Sequence, residues 1–240
     1  MKHVLFVADL HLTPENSNVC KAFLQFLRSE IFAADALYIL GDFFSHWPGD
    51  DCNYEFVKNL KSKLKALTEH GKPIFIMPGN RDFLLGEKFA KDTGSILLHD
   101  PTLINLYGRK TLLSHGYILG PKKLPHTILC KFVKNKFFRK LFFILPRWLR
   151  KYIVWQEHAC SYIFEHKTPE QLISETENIV EKLLREVNVN QIIHGHVHHE
   201  IIRDFKIDEK NARQIALGGW KHGGSVLVYY ADHHCEFLIK

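Results

Sequence analysis

Short apolar runs and longer amphipathic segments alternate along the first third of the chain. The runs Val4–Val7, Ala36–Leu40 and Ile74–Met77 have the length of buried strands. Between them, Asn18–Phe32 and Tyr54–His70 carry apolar residues at helical spacing. Strands that alternate with helices in this way are typical of a parallel sheet covered by helices.

After Gly94 the pattern changes to shorter strands, interrupted by one long region with helical spacing. The predicted strands cover 96–98, 103–106, 111–113, 192–193, 201–205, 214–217, 226–230 and 237–239. Pro169 suits the first turn of a helix that runs to about Val187. We therefore predict an α/β fold with αββα layers, in which two sheets form a sandwich flanked by helices. Residues 1–120 and 166–240 would form the core, and 121–165 a helical insertion or lid, broken at Pro146.

Polar residues follow the apolar runs at the points where the predicted strands end. These blocks are Asp9-Leu10-His11, Gly41-Asp42, Gly79-Asn80-Arg81-Asp82, His115-Gly116 and His194-Gly195-His196-Val197-His198. In open α/β sheets, ligands bind outside the carboxyl ends of the strands. Carboxylate, amide and imidazole groups gathered at that edge suit Mn²⁺, Fe²⁺ or Zn²⁺. If they held no metal, several Asp and His residues would be desolvated without a partner.

In this order, the blocks D-x-H, G-D, G-N-R-D, H-G and G-H-x-H resemble those of the calcineurin-like metallophosphoesterases. The resemblance implies a hydrolase in which two divalent cations, about 3.5–4 Å apart, clamp a phosphoryl group and activate water. Carried over by position, it assigns one cation to Asp9, His11, Asp42 and His198, and the other to Asp42, Asn80, His115 and His196. Asp42 would bridge the two cations, and the planar fork of Arg81 would grip phosphate oxygens. Asp42, Asn80 and Arg81 are the candidate catalytic residues.

A narrower resemblance extends over nearly the whole chain. The segments FVADLHL, ADALYILGD, PGNRDFLLG and LGGWKHGGS are similar to the branch of this family that hydrolyses UDP-2,3-diacylglucosamine in lipid A biosynthesis. It implies attack of water on the phosphorus next to uridine, with UMP and 2,3-diacylglucosamine 1-phosphate (lipid X) as products. It also implies Mn²⁺ as the preferred cation and a cytoplasmic protein bound peripherally to the inner membrane. The expected substrate contacts are Trp47, Asn80, Arg81, Lys122, Lys123, Phe137, Phe138, Ser161 and His196.

Charge is distributed unevenly in this chain of 240 residues with a net charge of +6. Between Pro101 and Gln156 there is no Asp or Glu, but there are 12 Lys and Arg residues, and the insertion adds many Phe and Leu residues. Apolar side chains interleaved with cations suit acyl chains or a membrane interface. The alternative is an ordinary amphipathic helical pair that packs on the core.

Two other functions stay open at this stage. One is a paralogous enzyme acting on another nucleotide diphosphate or a phosphodiester, including nucleic acid. The family usually has acidic residues after the His-Gly block, whereas Tyr117, Lys122 and Lys123 occupy this region here. The other is a non-catalytic module, which the complete ligand set disfavours. We expect no nucleic-acid partner, because the basic segment is rich in Phe and Leu rather than built as a polar groove with aromatic platforms. The sequence does not give the oligomeric state, for which a monomer is the simplest expectation.

Overall fold

A computed structural model describes residues 1–14, 17–52, 54–119, 141–156, 168–221 and 223–239. The strands of the described part are β1 (His3–Val7), β2 (Ala36–Leu40), β3 (Ile74–Met77), β4 (Ile96–Leu97), β5 (Thr102–Leu106), β6 (Arg109–Ser114), β7 (Gln191–His194), β8 (Ile201–Ile207), β9 (Lys210–Ala216), β10 (Ser225–Tyr230) and β11 (Cys235–Ile239). Its helices are α1 (Ser17–Ser29), α2 (Glu55–Glu69), α3 (Glu87–Thr93), α4 (Arg147–Gln156) and α5 (Pro169–Glu186), with a 3-10 turn at Tyr117–Leu119.

The described strands form two mixed sheets. The first has the order β11-β10-β1-β2-β3-β4, and strands β1 to β4 in it are parallel. The second has the order β5-β6-β7-β9-β8, and its three central strands are parallel. Because these parallel strands point the same way within each sheet, the loops after them open at one edge. This confirms the predicted α/β class.

Alternation along single strands shows how the layers stack. In β1, Leu5 and Val7 belong to the apolar core shared with α1, α2 and α3, whereas Phe6 belongs to the core between the two sheets. In β7, Ile193 lies in that central core and Ile192 packs with α5. A strand with both faces buried reads as a continuous apolar run, as these do. The layers are therefore helix, sheet, sheet and helix, as predicted.

Helix α5 begins at a local sequence signal. Thr168 accepts a hydrogen bond from the backbone N–H of Gln171, whose side chain accepts one from the Thr168 backbone, and Pro169 occupies the first turn. This capping box satisfies two backbone groups that a helix start leaves unpaired. The prediction of a helix from Pro169 is confirmed.

Helix α3 has no counterpart among the sequence predictions. Its N-cap residue Gly86 has no side chain to cap the helix, but the carboxylate of Asp50 accepts hydrogen bonds from the backbone N–H groups of Gly86 and Phe89. A residue more than thirty positions away along the chain thus supplies the cap. The start of this seven-residue helix therefore has no capping side chain in its own sequence.

Only part of the predicted insertion lies within the described residues. Helix α4 begins at Arg147, directly after the predicted break at Pro146. Lys122, Lys123, Phe137, Phe138 and Ser161 lie outside the described residues. The division of the chain into a core and an insertion at 121–165 therefore stays a prediction. Among the described helices, none combines the length and the apolar character that a bilayer crossing requires.

Candidate metal centre

The predicted ligand residues all lie in loops that leave the carboxyl ends of strands. Asp9 follows β1, Asp42 follows β2, and His115 comes directly after β6. His196 and His198 lie in the loop after β7. The fold brings their side chains into two groups of three, Asp9 with His11 and His198, and Asp42 with His115 and His196. The potential ligand atoms within each group lie within 4.8 Å of one another.

In the first group, two imidazoles face one carboxylate. The Nε2 atoms of His11 and His198 are 3.2 Å apart, and both point towards Oδ1 of Asp9, at 3.9 Å from His11 and 3.3 Å from His198. The other Asp9 oxygen, Oδ2, accepts a hydrogen bond of 2.7 Å from the backbone N–H of His196. This bond fixes the carboxylate and leaves Oδ1 directed at the two imidazoles.

In the second group, Asp42 lies between the two sets of ligands. Its Oδ1 is 3.6 Å from Nε2 of His115, and its Oδ2 is 4.0 Å from Nε2 of His11 in the first group. Asn80 Oδ1 lies 2.8 Å from the same His115 nitrogen. A carboxylate with one oxygen directed at each group has the position that a bridging ligand needs.

The backbone of these loops holds an unusual conformation. Asp9, His11, Asp42, His196 and His198 all have positive φ angles, between 48° and 73°. Non-glycine residues rarely adopt this region, and each instance costs about 1–3 kcal/mol. Strain at five ligand positions shows that the surrounding fold fixes the loops, because local propensity opposes their shape.

Two glycines allow these loops to approach each other. A Cβ atom on Gly41 would collide with the imidazole of His115, and Gly41 has a φ of +88°. A Cβ atom on Gly79 would collide with the carboxylate and backbone N–H of Asp42. Both glycines therefore sit where only a hydrogen atom fits beside a ligand side chain.

The donor set fits two divalent cations. Asp9 is 1% exposed, and its Oδ1 accepts no hydrogen bond from the described residues, although it is buried among imidazoles. A buried anionic oxygen without a hydrogen-bond donor is costly unless a cation is close to it. The Nδ1 atom of His115 lies 3.0 Å from the carbonyl oxygen of Leu40, to which its N–H donates, so that Nε2 presents a lone pair. Carboxylate, imidazole and amide donors of this kind suit Mn²⁺, Fe²⁺ or Zn²⁺.

Burial and mutual repulsion lower the pKa of two of the four candidate imidazoles, which favours the neutral form in which histidine binds a metal. Burial, assisted by the nearby Arg81 charge, lowers the pKa of His11 well below its ordinary value. Burial likewise lowers the pKa of His196, again well below the usual range. His115 differs: burial lowers its pKa, but the carboxylates of Asp42 and Asp9 outweigh burial, and the pKa is raised.

The pKa values of the Asp9 and Asp42 carboxyl groups shift in opposite directions. Burial raises the pKa of Asp9, but the adjacent His198, together with His115 and His11, outweighs burial, and the pKa falls below its ordinary value. For Asp42 the pKa is raised, chiefly by burial and despite the nearby His115 and Arg81. A buried carboxylate that is costly to ionise gains most from a bound cation.

Arg81 lies beside this centre. Its backbone N–H donates a 2.8 Å hydrogen bond to Oδ1 of Asp42, and its Nε is 3.7 Å from Oδ2 of the same carboxylate. A cavity of about 300 Å³ opens over the first ligand group. The cavity is lined by Leu10, His11, Thr13, Ser45, Arg81, His198 and Lys221. The structure thus places Arg81 where an anionic ligand over the metal centre would meet it.

Lys221 and Asp82 have roles that the sequence analysis did not assign. Lys221 adds a second cation to the cavity wall, and it belongs to the segment LGGWKHGGS. Asp82 is fully buried and accepts hydrogen bonds from the backbone N–H groups of Gly79 and Phe44, which joins the loops after β3 and β2. Burial and the nearby Asp42 carboxylate raise the pKa of Asp82 to about 7. The block G-N-R-D was the only available signal for Asp82.

Trp47 is not part of this cluster. Its ring is 1% exposed and packs against Phe44 and Phe89, and its N–H donates to Asp50. In this structure Trp47 therefore belongs to the apolar core and offers no surface to a substrate. Its contacts support the loop after β2 instead.

Two groups of candidate metal ligands with a carboxylate between them, at the edge of a two-sheet sandwich, are the arrangement expected of a metallophosphoesterase. In agreement, a family model described as calcineurin-like phosphoesterase matches residues 2–200, and the chain belongs to this family. The chain is 38% identical over 244 aligned positions to the UDP-2,3-diacylglucosamine hydrolase of Coxiella burnetii, covering 98% of this chain and 97% of that protein. It is 39% identical over 228 positions to the enzyme of the same name from Photobacterium profundum, covering 95% and 93%.

Two solved structures show the same fold at low sequence identity. An archaeal phosphodiesterase superposes with a TM-score of 0.51 at 10% identity, covering 99% of both chains. A hypothetical protein from Pyrococcus horikoshii superposes with a TM-score of 0.52, also at 10% identity, covering 100% of this chain and 88% of that one. These likenesses confirm the sandwich architecture.

Proposed function

We propose that this protein hydrolyses the diphosphate of UDP-2,3-diacylglucosamine to UMP and 2,3-diacylglucosamine 1-phosphate in lipid A biosynthesis. The observation that carries the proposal is the pair of ligand groups around Asp42, in a chain similar over nearly its whole length to hydrolases of that name. A diphosphate brings adjacent anionic groups, which a dinuclear metal centre is suited to bind.

The metal ligands would divide as the two groups do. Asp9, His11 and His198 would hold one cation, His115, His196 and Asn80 the other, and Asp42 would contribute to both. Two divalent cations, when bound, supply Lewis acidity that polarises the phosphoryl group and makes water a better nucleophile near neutral pH. We propose Mn²⁺ as the preferred ion, because the resemblance to the UDP-2,3-diacylglucosamine hydrolases implies it and the carboxylate, amide and imidazole donors are compatible with it.

The residues around the cavity would bind and orient the substrate. Arg81 has a rigid guanidinium next to Asp42, suited to two phosphate oxygens at once. Lys221 would balance further negative charge at the rim, while Asn80, beside the second ligand group, and His196, within it, would lie next to the reacting phosphoryl group. Arg81 and Lys221 would thus stabilise the charge that builds up on the phosphate oxygens during attack.

The described part of the insertion supports contact with lipid on one of its faces. Ile144 and Trp148 are 77% and 70% exposed, and Leu141 and Tyr152 are exposed beside them. Side chains of this kind near exposed cations suit a membrane interface. The opposite face packs on the core, because Phe142 and Phe143 lie against its apolar cluster. We propose that the exposed face meets acyl chains or the cytoplasmic surface of the inner membrane, where this protein would bind peripherally.

Product analysis tests the activity. Purified protein with Mn²⁺ should release UMP and the lipid monophosphate from UDP-2,3-diacylglucosamine, and EDTA should abolish the release. Asn80→Ala and His115→Ala should each lower kcat by at least about 100-fold, with an unchanged circular dichroism spectrum. His70→Ala, at an exposed residue directly after α2, is the matched control and should keep full activity.

Two results would contradict the proposal. If wild-type protein loaded with Mn²⁺ releases no UMP but cleaves single-stranded DNA, the function is that of a nuclease. If His115→Ala retains near-normal turnover, the second ligand group is not the reactive centre.

Replacing Phe137 and Phe138 by Ser should weaken binding to anionic liposomes, and unchanged partitioning would mean that the insertion only packs on the core.

A further inference from the structure

A second cavity lies at the opposite end of the second sheet from the metal centre. It has a volume of about 760 Å³ and is bordered by the amino-terminal starts of β6, β7 and β9 and by the β8–β9 hairpin. Since β6 runs from Arg109 to Ser114, directly before His115, about 17 Å of strand separate the cavity from the metal ligands. The two cavities therefore occupy different ends of the same strands.

The wall of this cavity is strongly cationic. Its charged lining residues are Arg109, Lys110, Lys206, Lys210, Arg213 and, with the opposite charge, Asp204. Arg213 engages both oxygens of the Asp204 carboxylate, at 2.6 and 2.8 Å, so the single acidic group is already neutralised. Lys110 and Lys210 have no carboxylate partner among the described residues. The cavity as a whole therefore carries an excess of positive charge.

Buried polar residues hold one of these cations in place. Gln191 is fully buried, and its Oε1 accepts a 3.0 Å hydrogen bond from the guanidinium of Arg109. The Gln191 amide in turn donates to the hydroxyl groups of Thr111, at 2.9 Å, and Tyr229, at 3.2 Å. A guanidinium fixed by a satisfied buried network is pre-organised for a ligand, unlike a mobile surface side chain.

The remaining lining adds neutral hydrogen-bonding groups. Asn188, Asn190 and Asn211 contribute amides, which can donate to and accept from sugar hydroxyls or a base. The volume lies within the range of about 300–1,000 Å³ that small-molecule sites occupy. Cations, amides and this size together match a ligand with phosphate groups on a polar body.

We propose that this cavity is a second ligand site, which binds a phosphorylated small molecule of nucleotide or sugar phosphate size. The cations at its wall would neutralise the phosphate charge, and the guanidinium of Arg109 would donate hydrogen bonds to phosphate oxygens. The site needs no metal ion, because its positive charge comes entirely from side chains. It does not depend on the hydrolytic activity proposed above.

Calorimetric titration of the full chain with inorganic pyrophosphate, in the presence of EDTA, tests this site apart from the metal centre. Wild-type protein and His115→Ala should bind pyrophosphate with the same Kd. The double variant Lys110→Ala/Lys210→Ala should bind at least about tenfold more weakly. Its matched control is Lys58→Ala/Lys65→Ala, which removes the same charge from the exposed face of α2 and should bind like wild type.

Three results would overturn the proposal. Failure of pyrophosphate to bind wild-type protein at millimolar concentration would mean that the cavity binds no phosphate. Equal weakening in the two double variants would show general charge attraction rather than a site. Loss of binding in His115→Ala alone would place the bound pyrophosphate at the metal centre. Because Lys110 and Lys210 are exposed, their replacement should leave the fold intact, which circular dichroism checks in each sample.

Discussion

The guanidinium of Arg150 ties helix α4 to the core, and its removal should release the helix. Arg150 is 3% exposed and donates to the carbonyls of Pro48 and Leu145 and to both oxygens of Asp51, at distances of 2.7 to 3.1 Å. Arg150→Met keeps the apolar stem but removes the donor of both carbonyls, while Asp51 keeps a hydrogen bond from Arg147. Each unsatisfied buried acceptor costs about 1–3 kcal/mol.

The magnitude depends on how much water can replace the guanidinium. The Asp51 side chain is 41% exposed, so water recovers much of its loss, whereas the contact with the Pro48 carbonyl is buried. We therefore expect the closed position of α4 to lose about 2–3 kcal/mol, which is about 30- to 140-fold in its local opening equilibrium. The overall fold should persist, because the two sheets do not depend on this contact.

Hydrogen exchange measures this opening directly. Backbone amides of Arg147–Gln156 should exchange about 30- to 140-fold faster in Arg150→Met, while amides of β1 and β7 keep their rates. Arg147→Met is the matched control, since Arg147 makes one 3.0 Å contact with the same carboxylate but is 63% exposed. An exposed ion pair contributes about 0–1 kcal/mol, so its effect should stay below about fivefold. Equal effects of the two variants, or none for Arg150→Met, would refute the assignment.

The remaining predictions concern acid stability and the metal centre. Hydrogen bonds from Arg150 hold the pKa of Asp51 at about 2, below its ordinary 3.8, so the contact contributes fully above pH 3.8 and is lost as pH falls through 2. Pepsin cleavage within α4 should therefore increase as the pH falls below 3.8. Asp51→Asn should abolish this pH dependence, and a pH dependence that persists in the variant would contradict the linkage. Gly41→Ala should lower turnover by about 100-fold through its collision with His115, whereas Gly71→Ala, with a similar φ of +75° but open space, should cost only about 1 kcal/mol of stability. Asp42→Asn should reduce Mn²⁺ uptake from two ions to one or none in equilibrium dialysis, and uptake of two ions would exclude Asp42 as the shared ligand.

Local pattern determined most of the secondary structure. The bounds of β2 and β3 agree with the predicted Ala36–Leu40 and Ile74–Met77, because both faces of these strands are buried and their runs are continuously apolar. The break at Pro146 and the start of α5 at Pro169 also follow from residues at the element ends themselves. Helix α3 escaped prediction because its cap comes from Asp50, which only the folded chain brings near.

The candidate metal ligands could also be chosen from the sequence, since each polar block directly follows an apolar run. The spatial arrangement of these residues could not be predicted from the sequence. The sequence alone indicated neither the left-handed backbone at Asp9 and His198 nor the carboxylate of Asp82 that joins two loops, because both are imposed by contacts between distant segments. The sequence did not indicate the burial of Trp47 either. This residue was predicted to contact substrate, but it is buried by packing against Phe44 and Phe89. Residue types and strand ends are local properties, whereas the direction of a side chain depends on what the fold packs around it.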